Sequence, residues 1–131
     1  MKKWVWILLA TIVAILIIFL FIRSNEDNWI KDSRGVWVKH GYPSDIPNEV
    51  KAQQDLIAKA DKIFQDAKSS GKDLSAGPCL GKIDSDWVVD IVHNPRQDVD
   101  NLSQNQCIDY ANGQVHHFVE LDPNGEIIQI K

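Results

Sequence analysis

Asp90, His93, Arg96, His117 and Glu120 are the side chains of this 131-residue chain best suited to acid-base chemistry. A histidine titrates near neutrality and can act as general acid or base, an arginine can stabilise a developing anion, and a carboxylate can orient the imidazole. A metal-free phosphodiesterase or glycosidase would need such a set. The spacing of these five residues matches no diagnostic motif. The plainer reading pairs Arg96 with Asp90 or Asp98 to fix a loop and leaves His117 as a satisfied, partly buried core histidine.

The two cysteines, Cys79 and Cys107, pose the second chemical question. In a small exported domain two cysteines suggest a disulfide, and a bridge closing the chain between them would contribute around 3 to 4 kcal/mol by restricting the unfolded state. The alternative makes Cys107 a nucleophile with His117 as its base, but few residues separate the two. A metal centre is disfavoured on spacing: His116 and His117 are adjacent on an expected strand, so their side chains point to opposite faces. Neither HExxH nor C-x-x-C occurs, so no metal and no cofactor are expected.

Several elements must position these residues. From Ile46 to Ser70 the apolar side chains Ile46, Val50, Ile57, Ala60, Phe64 and Ala67 recur at helical steps, which predicts one long amphipathic helix. Ser44 or Asp45 is placed to cap its start, Pro47 to fit its first turn, Lys59 to pair with Asp55, and Gly71 to end it. Lys72 to Asp86 reads as a turn-rich connection. Trp87 to His93 reads as a central strand, with Trp87, Val89, Ile91 and His93 on one face and Val88, Asp90 and Val92 on the other. Asp90 is the anomaly in that strand, because an isolated buried carboxylate is costly.

Asn94 to Gln106 reads as a long functional loop, and Cys107 to Ala111 as a short helix. Asp122-Pro123-Asn124-Gly125 predicts a hairpin turn pairing Asp122 with Glu126. That register places Val115, His117, Val119, Leu121 and Ile127 on one face. His116, Phe118, Glu120, Ile128 and Ile130 fall on the other. Nearer the amino terminus, WIKDSRGVWVKHGYP predicts a small hairpin around Asp32 to Gly35.

Trp4 to Ile22 carries no charge and spans roughly 28 Å as a helix, enough to cross a bilayer's hydrocarbon core. The run exceeds a signal peptide's usual apolar length and lacks a small-x-small exit, so an uncleaved anchor is expected. Lys2 and Lys3 favour a cytoplasmic amino terminus and a domain on the outer face, although Arg23, Lys31 and Arg34 weaken the bias. The whole-chain charge of -4 includes Lys2 and Lys3, so the part from Arg23 to Lys131 carries -4 - 2 = -6. An acidic domain without a basic run is a poor partner for nucleic acid.

The segments DWVVDIVHNPRQ and HHFVELDPNG, with WIKDSRGVWVKHGYPS, resemble a family of small anchored or exported proteins from uncultured bacteria whose activity is uncharacterised. The resemblance implies an extracytoplasmic setting and no particular activity. Proteins of this kind commonly carry a cysteine in the WIxxxxGxWVKHG hairpin; its absence between Asp32 and Arg34 favours Cys79 and Cys107 as each other's partners.

The expected architecture is α+β: a transmembrane helix, then a long amphipathic helix packed on an antiparallel sheet of about three strands. Residues 1–23 form the signal anchor, 24–43 a linker and hairpin, and 44–131 the extracytoplasmic domain. The expected role is a binding or structural module of the envelope. Its partners would be the bilayer through residues 4–22 and an envelope protein or small ligand. An envelope hydrolase using His117 or His93 with Glu120 and Arg96, and an accessory subunit of a membrane complex, are the alternatives.

Overall fold

The computed structural model describes residues 2–24 and 26–131. Two units are distinguished within it. Unit one comprises Met1–Ile30 and Val38–Ile46; unit two comprises Lys31–Trp37 and Pro47–Lys131.

In the first unit, helix α1 runs Lys3–Ser24 and is long and apolar enough to cross a membrane. The segments that follow it here are held by short polar contacts. Trp29 donates its indole N–H to the Asp45 carbonyl at 3.0 Å, and the Tyr42 amide donates to the Asp27 carboxylate at 2.9 Å.

Strands β1 (Asn28–Lys31) and β2 (Trp37–His40) pair as a two-stranded sheet. Its tip, Lys31–Trp37, belongs to the second unit. There the Arg34 carbonyl accepts from the Ile130 amide at 2.8 Å. Gln53 locks the tip from below, accepting from the Trp37 amide and donating to the Gly35 carbonyl. Gly35 adopts φ 80° and any Cβ there would strike the Ile130 carbonyl, so only glycine fits.

Helix α2 (Asn48–Ser69) turns Val50, Leu56, Ala60 and Phe64 inward, as its apolar period predicts. Two local expectations need correction. Pro47 occupies the N-cap without a side-chain cap from Ser44 or Asp45, and Lys59 pairs with Asp84 at 3.2 Å rather than with Asp55. Gly71 does end the helix. Its amide and that of Lys72 donate to the Lys68 and Ala67 carbonyls, the Schellman pattern that a left-handed glycine permits.

The main sheet has four strands in the order β3-β4-β5-β6: Cys79–Asp84, Trp87–Ile91, His117–Leu121 and Ile127–Ile130. An antiparallel sheet of about three strands is therefore corrected twice. Strand β3 lies within the expected turn-rich connection, and β4 runs parallel to β5 while the other pairs are antiparallel. Parallel strands need a long crossover, usually a helix. Here residues 92–116 provide one from two 3₁₀ turns, Asp98–Asn101 and Ser103–Asn105, and the short helix α3 (Ile108–Ala111).

Helix α2 seals one face of this sheet. Leu56, Ala60 and Phe64 pack with Leu74, Val89, Ile91, Val119, Leu121 and Ile130 into a single apolar core. Ile130 was expected on the opposite face. A register shift between Glu120 and Leu121 in the β5-β6 pairing sets Gln129 opposite Glu120 and Ile130 opposite Val119, which turns Ile130 into the core. Val115 changes sides as well, because it precedes β5 and packs with Val88 and Cys107 on the crossover side.

Candidate functional site

On the face away from α2, strand register lays one row straight across the sheet. Cys79 pairs with Asp90, Asp90 with Glu120, and Glu120 with Gln129. Directly opposed residues on neighbouring strands share a face with side chains roughly 5 Å apart, so this row is dictated by backbone pairing. Val88 and Phe118 flank it, and Tyr110 of α3 meets the Phe118 ring edge-on at 5.2 Å.

The crossover roofs the row without sealing it. A cavity of about 430 Å³ remains, walled by Asp90, Glu120 and Gln129 below, Arg96, Gln106 and Cys107 along the crossover, and the apolar Val88, Phe118 and Tyr110. Arg96 bridges roof and floor: Nη1 lies 3.3 Å from Glu120 Oε1, while Nε donates to Asn101 Oδ1 at 3.3 Å. One end of the row is tied by the Cys79–Cys107 disulfide, whose Cα atoms lie 5.0 Å apart.

Asp90 has no ion-pair partner among the described residues. Burial, followed by repulsion from Glu120, pushes its carboxyl up to about 7; Arg96 offsets this in part and Asp100 adds to it. At neutral pH Asp90 is divided between acid and carboxylate. A neutral carboxyl is the cheaper state for a half-buried group beside a second carboxylate.

The crossover owes its shape to two buried polar residues absent from the sequence-derived set. Asp100 is 2 % exposed and accepts from the His93 and Gln97 amides at 3.1 and 2.7 Å and meets His93 Nδ1 at 2.8 Å. Its burial favours a raised pKa, but these contacts prevail and hold it below the usual carboxylate range. Asn105 donates to the Ala76 and Val99 carbonyls at 2.7 and 2.8 Å. Together they fix where Arg96 stands over the sheet.

Of the five expected acid-base residues, Asp90, Arg96 and Glu120 converge on the cavity; His93 and His117 do not. Strand β4 ends at Ile91, so His93 leaves the sheet alternation that placed it on the core face and turns into the crossover as the partner of Asp100. His117 lies on the α2 side, stacked on Trp87 with ring centroids 4.7 Å apart. A hydrolase built on His117 or His93 with Glu120 and Arg96 therefore lacks its histidine at the cavity.

The adjacent histidines also depart from expectation. Both reach the Asp86 carboxylate, His116 Nδ1 at 2.8 Å and His117 Nε2 at 3.6 Å, because His116 precedes the strand and escapes strict alternation. The His116 hydrogen bond, ahead of the other contributions, keeps Asp86 below the ordinary carboxylate range.

A second groove, of about 620 Å³, runs along α2 past Trp37, Trp87 and His117. Its polar groups are largely occupied with one another: Lys59 holds Asp84, Gln53 holds the hairpin tip, and Lys31 lies over the Trp37 ring. The cavity on the other face differs in holding a part-buried carboxyl, Asp90, whereas Glu49 and Asp55 of the groove are exposed.

The chain has no significant match among protein-family models, curated proteins or solved structures.

Proposed function

We propose that this chain is a single-pass membrane protein whose sheet domain lies on the outer face and binds a small ligand carrying a basic nitrogen. The observation that carries the reading is the cross-sheet pair Asp90 and Glu120 facing one cavity, with Arg96 in an ion pair with Glu120 rather than with Asp90. An ammonium seated beside Asp90 would supply the close ion pair that this carboxyl lacks among the described residues. Phe118, Tyr110 and Val88 offer an apolar wall for the rest of the molecule, the mixture of few polar and several apolar groups usual in ligand pockets.

The outer-face placement is supported by Lys2 and Lys3 ahead of α1, by the disulfide, which persists in oxidising compartments, and by the resemblance carried by DWVVDIVHNPRQ and HHFVELDPNG. Ligand titration followed by NMR tests the binding. Small aryl- or alkyl-ammonium compounds are expected to shift the amides of Val88, Asp90 and Glu120, and neutral isosteres to bind at least about tenfold more weakly, a difference of about 1.4 kcal/mol. Equal shifts from the neutral isosteres would remove the charge-based reading.

One observation favours a second reading. A carboxyl that is part-protonated at neutrality, beside an arginine-held carboxylate, has the make-up of a general acid with a companion base. Turnover of any glycoside or phosphodiester by purified protein, abolished by Asp90→Asn, would favour hydrolysis over binding.

A further inference from the structure

The disulfide is not sequestered from the cavity, and its surroundings suit a second chemistry. Cys107 lines the cavity wall, and its Sγ lies 3.9 Å from Asp90 Oδ1. A disulfide sulfur carries no hydrogen, so a hydrogen bond in this contact must be donated by the Asp90 carboxyl. The two cysteines differ in residue exposure: Cys107 is 6 % exposed, whereas Cys79, on strand β3, is only partly buried. Both lie near one acceptor, the Val89 carbonyl, at 3.5 Å from Cys107 and 3.7 Å from Cys79. Thiols formed by reduction would find that acceptor already in place.

We propose that Cys79–Cys107 is a reducible redox pair worked by thiol-disulfide exchange, in which Asp90 is the acid that protonates the departing Cys107 sulfur. An external small-molecule or protein thiolate attacks Sγ of Cys79, the more exposed of the two residues. The new sulfur-sulfur bond forms as the Cys79–Cys107 bond breaks, and the electron pair leaves on Cys107. Asp90 transfers its proton to that thiolate and becomes a carboxylate. A second external thiolate then attacks the external sulfur of the mixed disulfide, displacing Cys79 as a thiolate that takes a proton from solvent. Overall, two external thiols are oxidised to a disulfide and the protein pair is reduced to two thiols; Asp90 regains its proton from solvent.

Proton delivery matters because a protonated leaving sulfur cannot re-attack the mixed disulfide. The groups facing Asp90 set when it can deliver. Glu120 on β5 and Asp100 in the crossover oppose its ionisation, and Arg96 in the crossover favours it; Cys79 on β3 and the Cys107 side chain ahead of α3 contribute no charge while bonded. Beside them Lys82 and Asp109 form a separate pair at 3.8 Å. An acid titrating near neutrality is well matched to a thiolate leaving group.

The test uses the full-length oxidised protein in detergent micelles, reduced by excess glutathione across pH 5 to 9 and followed by quenched alkylation and mass. The expected rate is proportional to glutathione. After correction for the glutathione thiolate fraction, the wild-type rate constant is expected to fall about tenfold per pH unit above neutrality, as Asp90 loses its proton. Asp90→Asn is expected to flatten that profile and slow reduction about tenfold or more below pH 7. Glu120→Gln, which removes a neighbouring charge, should move the break to lower pH, and it gives an independent reading if Asp90→Asn fails to fold. A rate independent of glutathione concentration would mean that global unfolding limits reduction, and would overturn the proposal. So would a thiolate-corrected profile that is flat in the wild type or identical in Glu120→Gln.

Discussion

The two faces of the four-stranded sheet are built from the same strands yet obey different rules. Toward α2, alternate residues Val89, Ile91, Val119 and Leu121 meet Leu56, Ala60 and Phe64, and among the described residues the buried polar side chains, Asp100 and Asn105, belong to the crossover instead. Toward the crossover, the intervening residues Asp90 and Glu120 stand beside Phe118 and Val88 under a roof of loop and short helix. A long helix covers a sheet with continuous apolar surface, whereas a crossover pinned at Asp100 and Asn105 leaves space and tolerates charge. The main apolar core of the domain therefore lies on one face and its titratable cavity on the other.

The sharpest way to break this division is Phe64→Ala. Deleting a fully buried phenylalanine should cost about 3 to 5 kcal/mol in urea unfolding. Ammonium binding by the remaining folded protein should be unchanged; weakened binding would show that the two faces are coupled. Replacing both Cys79 and Cys107 by serine should cost about 3 to 4 kcal/mol, since the bridge closes a loop across 28 sequence positions. That substitution should also weaken ligand binding, because the bridge fixes one end of the polar row.

Asp100→Ala comes next, at about 2 to 3 kcal/mol, because it strands the His93 and Gln97 amides that now donate to it. Its ordinary value of 3.8 is depressed in the folded protein, so the wild type keeps this contribution above that value and loses it as pH falls through the lower folded one. The acid limb of the stability profile should flatten in the variant.

Asp90→Asn has the opposite sign. The folded carboxyl titrates near 7 and the unfolded one near 3.8, so between these values the folded state holds more protons and wild-type stability falls as pH rises, levelling off above 7. With partial solvent access discounted, the variant should be about 2 kcal/mol more stable than wild type at pH 8 and equal to it at pH 3, while losing ammonium affinity. His117→Ala is the smallest effect, below about 1 kcal/mol on stability and none on binding, since the half-exposed ring stacks on Trp87 away from the cavity.

Much of this arrangement was legible in the sequence where local physics dominates. The 3.6-residue period gave α2, alternation gave β4 and β5, and Asp122–Gly125 gave the turn that pairs Asp122 with Glu126. Alternation also marked Asp90 as a charge in an apolar strand, and it placed Asp90 and Glu120 on whole faces without saying that the faces coincide. That coincidence depends on β4 running parallel to β5, which only the path of the crossover decides. Strand β3 was hidden because Pro78, Gly81 and the polar Asp84–Asp86 read as turns, and register shifts interrupt its pairing with β4. Asp100 gave no periodic signal either, since its burial comes from the crossover folding back on Ala76 and Gly77.

The most direct measurement is the carboxyl carbon shift of Asp90 followed against pH, free and with a saturating aryl-ammonium ligand. The free protein should titrate near 7, and bound ammonium should pull the midpoint down by stabilising the carboxylate. A free midpoint near the ordinary 3.8, or a midpoint that the ligand does not move, would contradict the assignment of this face as the ligand site.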